Sequence, residues 1–406
     1  MDSARSICFL LSPSAFYPRP VACLIDRHGQ IMHAWSSTLD QPDPGTDPPG
    51  FLRGWNHVEL ANDGSLYATV ALQALLKLHP DSTLAWRAEL PVHHDLDIHS
   101  SGMVYALTEE PRIVPWQGGT RVLLDNSVTI LSCDGQVNAS YSLYDILISH
   151  PDLTALIEQE AERRTASGQL PDPAALTPLL TGPDARHAGR EVSRFLRQLP
   201  GSPCDVLHAN AVEILDAHHA GLWGDGDVLV SLRNLNVIAV LDLTAQVVRW
   251  LWGPGELSGQ HQPSVLPGGT VLVFDNGRAV GRSRVLEIDP ISGQIVWQFS
   301  ASPPESMFSA IAGGCEELPG GTILISDAQG GRGIEVTRDG RTAWTVHIST
   351  LKSSSDTSRA EFYRMSAVLA DTAGLLGESD GPIRELARSR LRCEPRDASA
   401  CLSSTL

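Results

Sequence analysis

One unit recurs along this chain and limits the possible folds more than any other feature: a hairpin, a polar turn, then a strand with one large aromatic. It reads LIDRHGQIMHAW up to Trp35, LLKLHPDSTLAW up to Trp86, LDLTAQVVRW up to Trp250, LEIDPISGQIVW up to Trp297 and IEVTRDGRTAW up to Trp344. The spacing is 51 residues from 35 to 86, 47 from 250 to 297 and 47 again from 297 to 344. ILSCDGQVNASY puts Tyr141 in the same slot, 55 residues after position 86, and makes the units six. A four-stranded propeller blade takes about 40–50 residues. One such blade cannot bury both its faces, whereas blades stacked radially bury one another. The spacing therefore predicts an all-β chain folded as a six-bladed β-propeller.

Most units open on an apolar stretch that runs into a Gly-containing turn, as in WNHVELANDGSLYATV, HDLDIHSSGMVYAL, HQPSVLPGGTVLVF and GGCEELPGGTILIS. These are first and second blade strands joined by hairpins. The N-terminus lacks such a first strand. FYRMSAVLADTAG is expected to supply it, so that a C-terminal strand from Tyr363 to Ala370 closes the first blade beside strands from residues 6–36. Between about 145 and 203 the pattern changes. IEQEAERRTASG and REVSRFLRQL carry apolar residues every three or four positions, the period of amphipathic helices. This reads as a helical insertion: a lid, a dimerisation element or decoration. The propeller is thus expected over residues 1–373. Residues 374–406, polar and containing RELARSRLR, read as a poorly ordered tail or a short surface helix.

Thirty Lys and Arg against 47 Asp and Glu give a formal charge of −17, which disfavours a nucleic-acid partner, since such surfaces need clustered cations. Any anionic substrate must be met by locally placed cations. The apolar run from Ile7 to Leu11 is too short for a membrane span or a secretory signal. The seven cysteines form no CxxC pair, which argues against a disulfide framework and a structural zinc site. A cytoplasmic protein without a membrane span is expected, with oligomeric state left open.

In a propeller the first strands line the central axis, so residues at their starts converge on one mouth. Here these are His57, His94, His208 with Asn210, His261 and Arg364, while Arg233 follows in the fourth unit's second strand. Histidines recurring at one structural position point to function more strongly than a lone histidine does. Two chemistries are open. In sulfuryl or phosphoryl transfer a neutral imidazole attacks the central atom while arginines hold the equatorial oxygens. Alternatively, the imidazoles bind a metal for lyase, hydrolase or oxygenase chemistry, with Asp95 behind them. Arg233 and Arg364 weigh against the metal, because a cation beside a cationic site is repelled. No metal or other cofactor is expected. A third reading is a non-catalytic propeller that binds a ligand or protein on its rim.

The ordered set DVLHANAVEIL, DVLVSLRNLNVIAVLD, GQHQPSVLPGGTVLVFDNG and GGCEELPGGTILIS, followed by GIEVTRDGRTAW, resembles the arylsulfate sulfotransferases over residues 205–347. HHDLDIHSSG and LIDRHGQIMHAW extend the resemblance more weakly. It implies a six-bladed propeller that moves a sulfuryl group from an aryl sulfate ester to a phenolic acceptor through a sulfohistidine, without a nucleotide sulfate donor. It further implies His261 as nucleophile and His208, His94, Arg233 and Asn210 as ligands of the transferred group. Tyr363 and Arg364 are added as substrate-binding residues. His94 is preferred to His93 because it directly precedes Asp95. Asn276, in the Asn-Gly turn pair, is read as structural, Arg282 and Arg284 as solvated, and His57 as a rim residue.

Overall fold

A computed structural model describes residues 7–13, 19–38, 54–166, 168–216, 218–350, 361–377 and 381–397. Among the described residues the chain is all-β apart from its helices, with six antiparallel sheets, five of four strands and one of five. The recurring aromatic falls on the fourth strand of each unit: Trp35 in Ile31–Ser36, Trp86 in Leu84–Ala88, Tyr141 in Val137–Ser142, Trp250 in Val247–Trp252, Trp297 in Gln294–Ser300 and Trp344 in Thr342–Thr350. Two compact units divide the chain. One comprises Met1–Ala71, Leu75–Ala88 and His261–Leu406, the other Leu72–Ala74 and Glu89–Gln260.

The first unit holds four of the sheets. In one of them Phe362–Leu369 lies beside Ile7–Pro13, with Ile7 opposite Leu369 and Pro13 opposite Phe362, so the C-terminal strand completes the N-terminal sheet. Its apolar face is continuous: Phe9, Leu11, Cys23 and Ile25 pack with Phe362 and Met365 and with Leu324, Trp344 and Val346 of another sheet. Two of the repeated tryptophans, Trp297 and Trp344, link one sheet to another. Trp297 Nε1 donates to the carbonyl of Arg338 at 2.8 Å, and Trp344 Nε1 to that of Arg27 at 3.0 Å, while the Trp344 ring stacks on Phe9. In these two repeats the indole N–H of the recurring aromatic finds a backbone carbonyl of another sheet, whereas the buried Trp35 Nε1 has no such partner among the described residues, so packing area is what the position has in common.

The expected tail is in part regular structure. Gly381–Arg390 is a helix, and Leu391–Asp397 pairs along Thr342–Thr350 as the fifth strand of its sheet. Ile383, Ala387 and Leu391 bury against Ile31, Trp344 and Ile348, which offsets the ordering cost of an otherwise polar segment. Residues 398–406, Cys401 among them, lie outside the described residues. Among the described residues no helix is long and apolar enough to cross a membrane.

The second unit holds two sheets and four helices. Val104–Trp116 and Gly119–Leu131 form a hairpin of two 13-residue strands that extends past its neighbours. On it sit the helices Leu143–Leu147, Pro151–Thr165, Pro173–Thr181 and Ala185–Gln198, within the segment that breaks the β pattern. Local chemistry sets their starts: the Ser142 side chain accepts the N–H of Asp145, Asp172 that of Ala174, and Pro151 and Pro173 occupy first turns where no N–H is needed. Leu143, Ile146, Leu147, Leu153 and Ile157 join the core of Val206, Leu207, Val228 and Val230. Val192 and Leu196 of the last helix pack on Val122, Leu124 and Cys204.

Candidate active site

Among the described residues each unit brings histidines together at the start of the first strand of its sheets. At these starts the backbone is unusual: His94, His208 and Gln262 have φ of 65°, 49° and 49°. The strand register shifts beside each of them, between Val92 and Leu96, Ala209 and Ala211, and His261 and Ser264. Left-handed non-glycine residues at bulges are costly and cluster at functional sites. The bulge re-aims a side chain that regular pleating would leave in the sheet.

In the second unit the Nε2 atoms of His94 and His208 lie 3.0 Å apart, and His208 Nδ1 meets Asp205 Oδ2 at 2.6 Å. A carboxylate accepts, so His208 carries its proton on Nδ1 and presents an Nε2 lone pair. His94 must then donate from its own Nε2. Burial lowers the His208 pKa to about 4; Arg233 and Arg197 add to this, and Asp205 opposes it. Burial alone would raise Asp205, yet His208, Arg197 and Arg164 hold it below the usual carboxylate range. Around neutral pH Asp205 is therefore a carboxylate and His208 a neutral imidazole. Asn234 Nδ2 donates to the Asp205 carbonyl at 2.7 Å, Arg233 Nη1 donates to Asn234 Oδ1 at 3.2 Å, and the Arg233 N–H reaches the His208 carbonyl. Fully buried Asn210 donates to the carbonyl of Gln260 at 2.8 Å.

His93 faces another way. Its ring is buried, 4.0 Å from that of His94, and its Nε2 accepts from Arg197, which pairs with Glu109. Burial first, then the nearby His94, Arg197 and His208, hold its pKa well below the ordinary imidazole value. His93, His94 and His208 bring nitrogens within 4.8 Å of one another, the spacing of metal ligands. A guanidinium can only donate, so the Nε2 lone pair of His93 is committed to Arg197. Two imidazoles remain, too few for a three-histidine centre. Asp95 Oδ2 accepts the N–H of Val212 at 3.0 Å, an edge-strand amide.

In the first unit His261 is 2% exposed and its Nδ1 lies 2.7 Å from Asn276 Oδ1. The Asn276 amide donates to two carbonyls, Ser309 at 2.6 Å and Ala312 at 2.8 Å, which fixes its oxygen toward the imidazole. His261 therefore carries its proton on Nδ1 and its lone pair on Nε2. Gly277 sets the tight turn beside it: its φ is 63°, and a Cβ there would lie 1.7 Å from the Arg282 carbonyl oxygen. Arg284 Nε pairs with Asp275 at 2.9 Å. Tyr363 presents its ring edge-on to both His261 and His57, with centroids 6.3 and 6.2 Å apart. His57 is buried and lies 3.3 Å from Glu59, whose carboxylate also meets Arg364 at 3.4 Å. Burial raises Glu316 to about 7, with Glu59 adding and the Ala367 N–H and Arg364 opposing.

The sequence-derived residues thus fall into His94, His208, Asn210 and Arg233 in one unit and His261, Tyr363 and Arg364 in the other. Three readings change. Asn276 anchors the His261 ring, and Arg284 is paired with Asp275. His57 is buried at 3% exposure and lies 3.3 Å from the Glu59 carboxylate, unlike a rim residue. Sequence reasoning passed over Asp205, Arg197 and Glu109. Asp205, three residues before His208 in DVLH, was the one with a local signal.

Residues 193–349 match the model of the arylsulfotransferase (ASST) family, which includes the stretch whose motifs carry the resemblance. No curated protein matches the sequence. Among solved structures, a protein of unknown function from Bacteroides caccae is similar at 12% identity and a TM-score of 0.51, over 89% of this chain and 99% of that one. A virginiamycin B lyase from Staphylococcus aureus is similar at 13% identity and a TM-score of 0.39, over 74% of this chain and 71% of that one. Apo AztD from Citrobacter koseri is similar at 10% identity and a TM-score of 0.40, over 89% and 98%.

Proposed function

Taking the arylsulfotransferase match over residues 193–349 as premise, we propose that the chain is a six-bladed β-propeller that transfers a sulfuryl group from an aryl sulfate to a phenol through a sulfohistidine on His261. The observation that carries this reading is the anchoring of His261 by Asn276, which in the neutral ring puts the proton on Nδ1 and the lone pair on Nε2. The six meandering sheets support the propeller, each with the recurring aromatic on its fourth strand.

In this reading His261 Nε2 attacks sulfur, an N–S bond forms and the S–O bond to the aryl group breaks. Charge on the sulfonyl oxygens is assigned to Arg233 and Asn210, as planar or fixed N–H donors suit that geometry. The His94–His208 couple enters the cycle with one proton more than two neutral rings, held on His94 against the His208 lone pair, and the departing phenolate takes that proton. An acceptor phenol then attacks sulfur, gives its proton back to the couple, and the N–S bond breaks. Asp205 supports the couple as a buried carboxylate supports a catalytic imidazole. Tyr363 and Arg364 are assigned to the aryl substrates. No nucleotide donor or metal enters any step.

A chromogenic aryl sulfate, incubated with and without a phenol acceptor, tests the proposal. Acceptor-stimulated phenol release with parallel-line double-displacement kinetics is expected. Absence of release over a broad panel of aryl sulfates would contradict it.

A further inference from the structure

The function above leaves one charged pair beside the histidine couple without a task. Arg197 stands in the last turn of Ala185–Gln198, the helix that closes the inserted segment. Its Nε donates to Glu109 Oε1 at 2.8 Å and its Nη2 to Oε2, a two-pronged pairing, and Nη2 also reaches His93 Nε2. Glu109 is wholly buried, and the Arg197 side chain is 17% exposed. Asn126 continues the chain of contacts: its Nδ2 donates to Glu109 Oε2 at 3.4 Å, and its Oδ1 accepts the N–H of Ala209, the residue after His208, at 2.9 Å. The pair therefore touches the couple from two sides, through His93 and through the backbone after His208.

We propose that the Arg197–Glu109 pair is a positioning device that keeps His93 neutral against His94 and sets the proton affinity of the His94–His208 couple. This rests on assigning the couple to proton transfer. The argument is one of charge. The His93 ring lies 4.0 Å from that of His94, so an imidazolium there would repel the proton that His94 must carry. Arg197 prevents this by donating to the one lone pair through which His93 could protonate. Its own positive charge would suppress the couple just as strongly, and Glu109 cancels it. The other charged groups facing the couple are Asp205 behind His208, Arg233 beside it, and Arg164 acting on Asp205. The inserted segment is then part of the catalytic apparatus, because its last helix supplies Arg197.

The closing experiment reads histidine titration by NMR alongside the pH profile of kcat for phenol release from a chromogenic aryl sulfate. Glu109→Gln keeps the shape and removes the negative charge. The ring signals of His94 and His208 should then titrate at lower pH, by about one unit. The acidic limb of the kcat profile should move the same way, with KM for the aryl sulfate changed less than about threefold. Arg197→Gln frees the His93 lone pair beside an unpaired Glu109, so the His93 ring signal should titrate at higher pH, and the double variant should return it close to the parent. These opposite signs distinguish a charge effect from lost packing. If Glu109→Gln does not fold, the upward shift in Arg197→Gln is the test. Unmoved titrations in folded variants would overturn the inference. Shifted titrations in a protein that never releases phenol would uphold it and reject the sulfotransferase reading instead.

Discussion

His261 and His208 are anchored alike and partnered differently. Both turn Nδ1 to a side-chain oxygen, His261 to the Asn276 amide at 2.7 Å and His208 to the Asp205 carboxylate at 2.6 Å. Either anchor fixes the tautomer and aims the Nε2 lone pair. The amide brings no net charge, so it gives a protonated His261 little support, which suits the nucleophile's part proposed for it. The carboxylate brings a full negative charge and supports an imidazolium as it forms, as a proton carrier requires. Burial, Arg233 and Arg197 oppose that support, leaving His208 neutral at rest with a pKa of about 4. One geometry with two partner chemistries thus matches the division proposed between a nucleophile and an acid–base couple.

Substitutions that erase or exchange the anchors test this difference. His261→Ala should lower acceptor-dependent turnover the most, by about 10³-fold or more, in steady-state assays of folded protein. Asp205→Asn keeps the shape behind His208 and removes the charge, and kcat should fall about 10²-fold with a smaller change in KM. An unchanged kcat would remove the couple from the mechanism. Asn276→Asp makes the nucleophile's anchor resemble that of His208. The added charge should favour protonated His261, raise the acidic limb of the kcat/KM profile and lower activity at neutral pH about tenfold. It also leaves the carbonyls of Ser309 and Ala312 without their donor, at a cost of about 1–3 kcal/mol each in denaturant unfolding.

The smallest expected effects are in the pH dependence of stability, where His208 and Glu316 contribute with opposite signs. His208 binds its proton more weakly folded, at about 4, than at the ordinary value of 6.5. Between these values the unfolded chain holds the extra proton, so stability falls as pH drops. Glu316 is raised from 4.5 to about 7, so there the folded state holds the extra proton and stability is lost as pH rises through that window. Urea midpoints against pH should therefore show His208→Asn flattening the acid side, and Glu316→Gln gaining on the parent above about pH 7. The same slope in parent and both variants would refute these assignments.

What could be read from the residues follows from how each signal is encoded. The repeat was legible because one aromatic per unit occupies the fourth strand, and the closing strand Phe362–Leu369 was legible because the first unit lacked an opening strand of its own. The fifth strand, Leu391–Asp397, was not: it pairs at a sheet edge, where Pro395 and charged residues are tolerated, and nothing in its polarity marks a strand. At the site, the recurring histidines stood out by type and position. Asn276 did not, since Asn-Gly is equally the commonest hairpin turn pair, and only folding brings it to His261. Arg197 and Glu109 lie 88 residues apart and show in sequence as an ordinary helix arginine and a strand glutamate.

Mass spectrometry of the protein after brief exposure to an aryl sulfate without acceptor tests the central claim most directly. The account predicts one added sulfuryl group on His261, discharged by a phenol and absent in His261→Ala. Phenol release with no adduct on His261, or an adduct on another residue that survives His261→Ala, would contradict it.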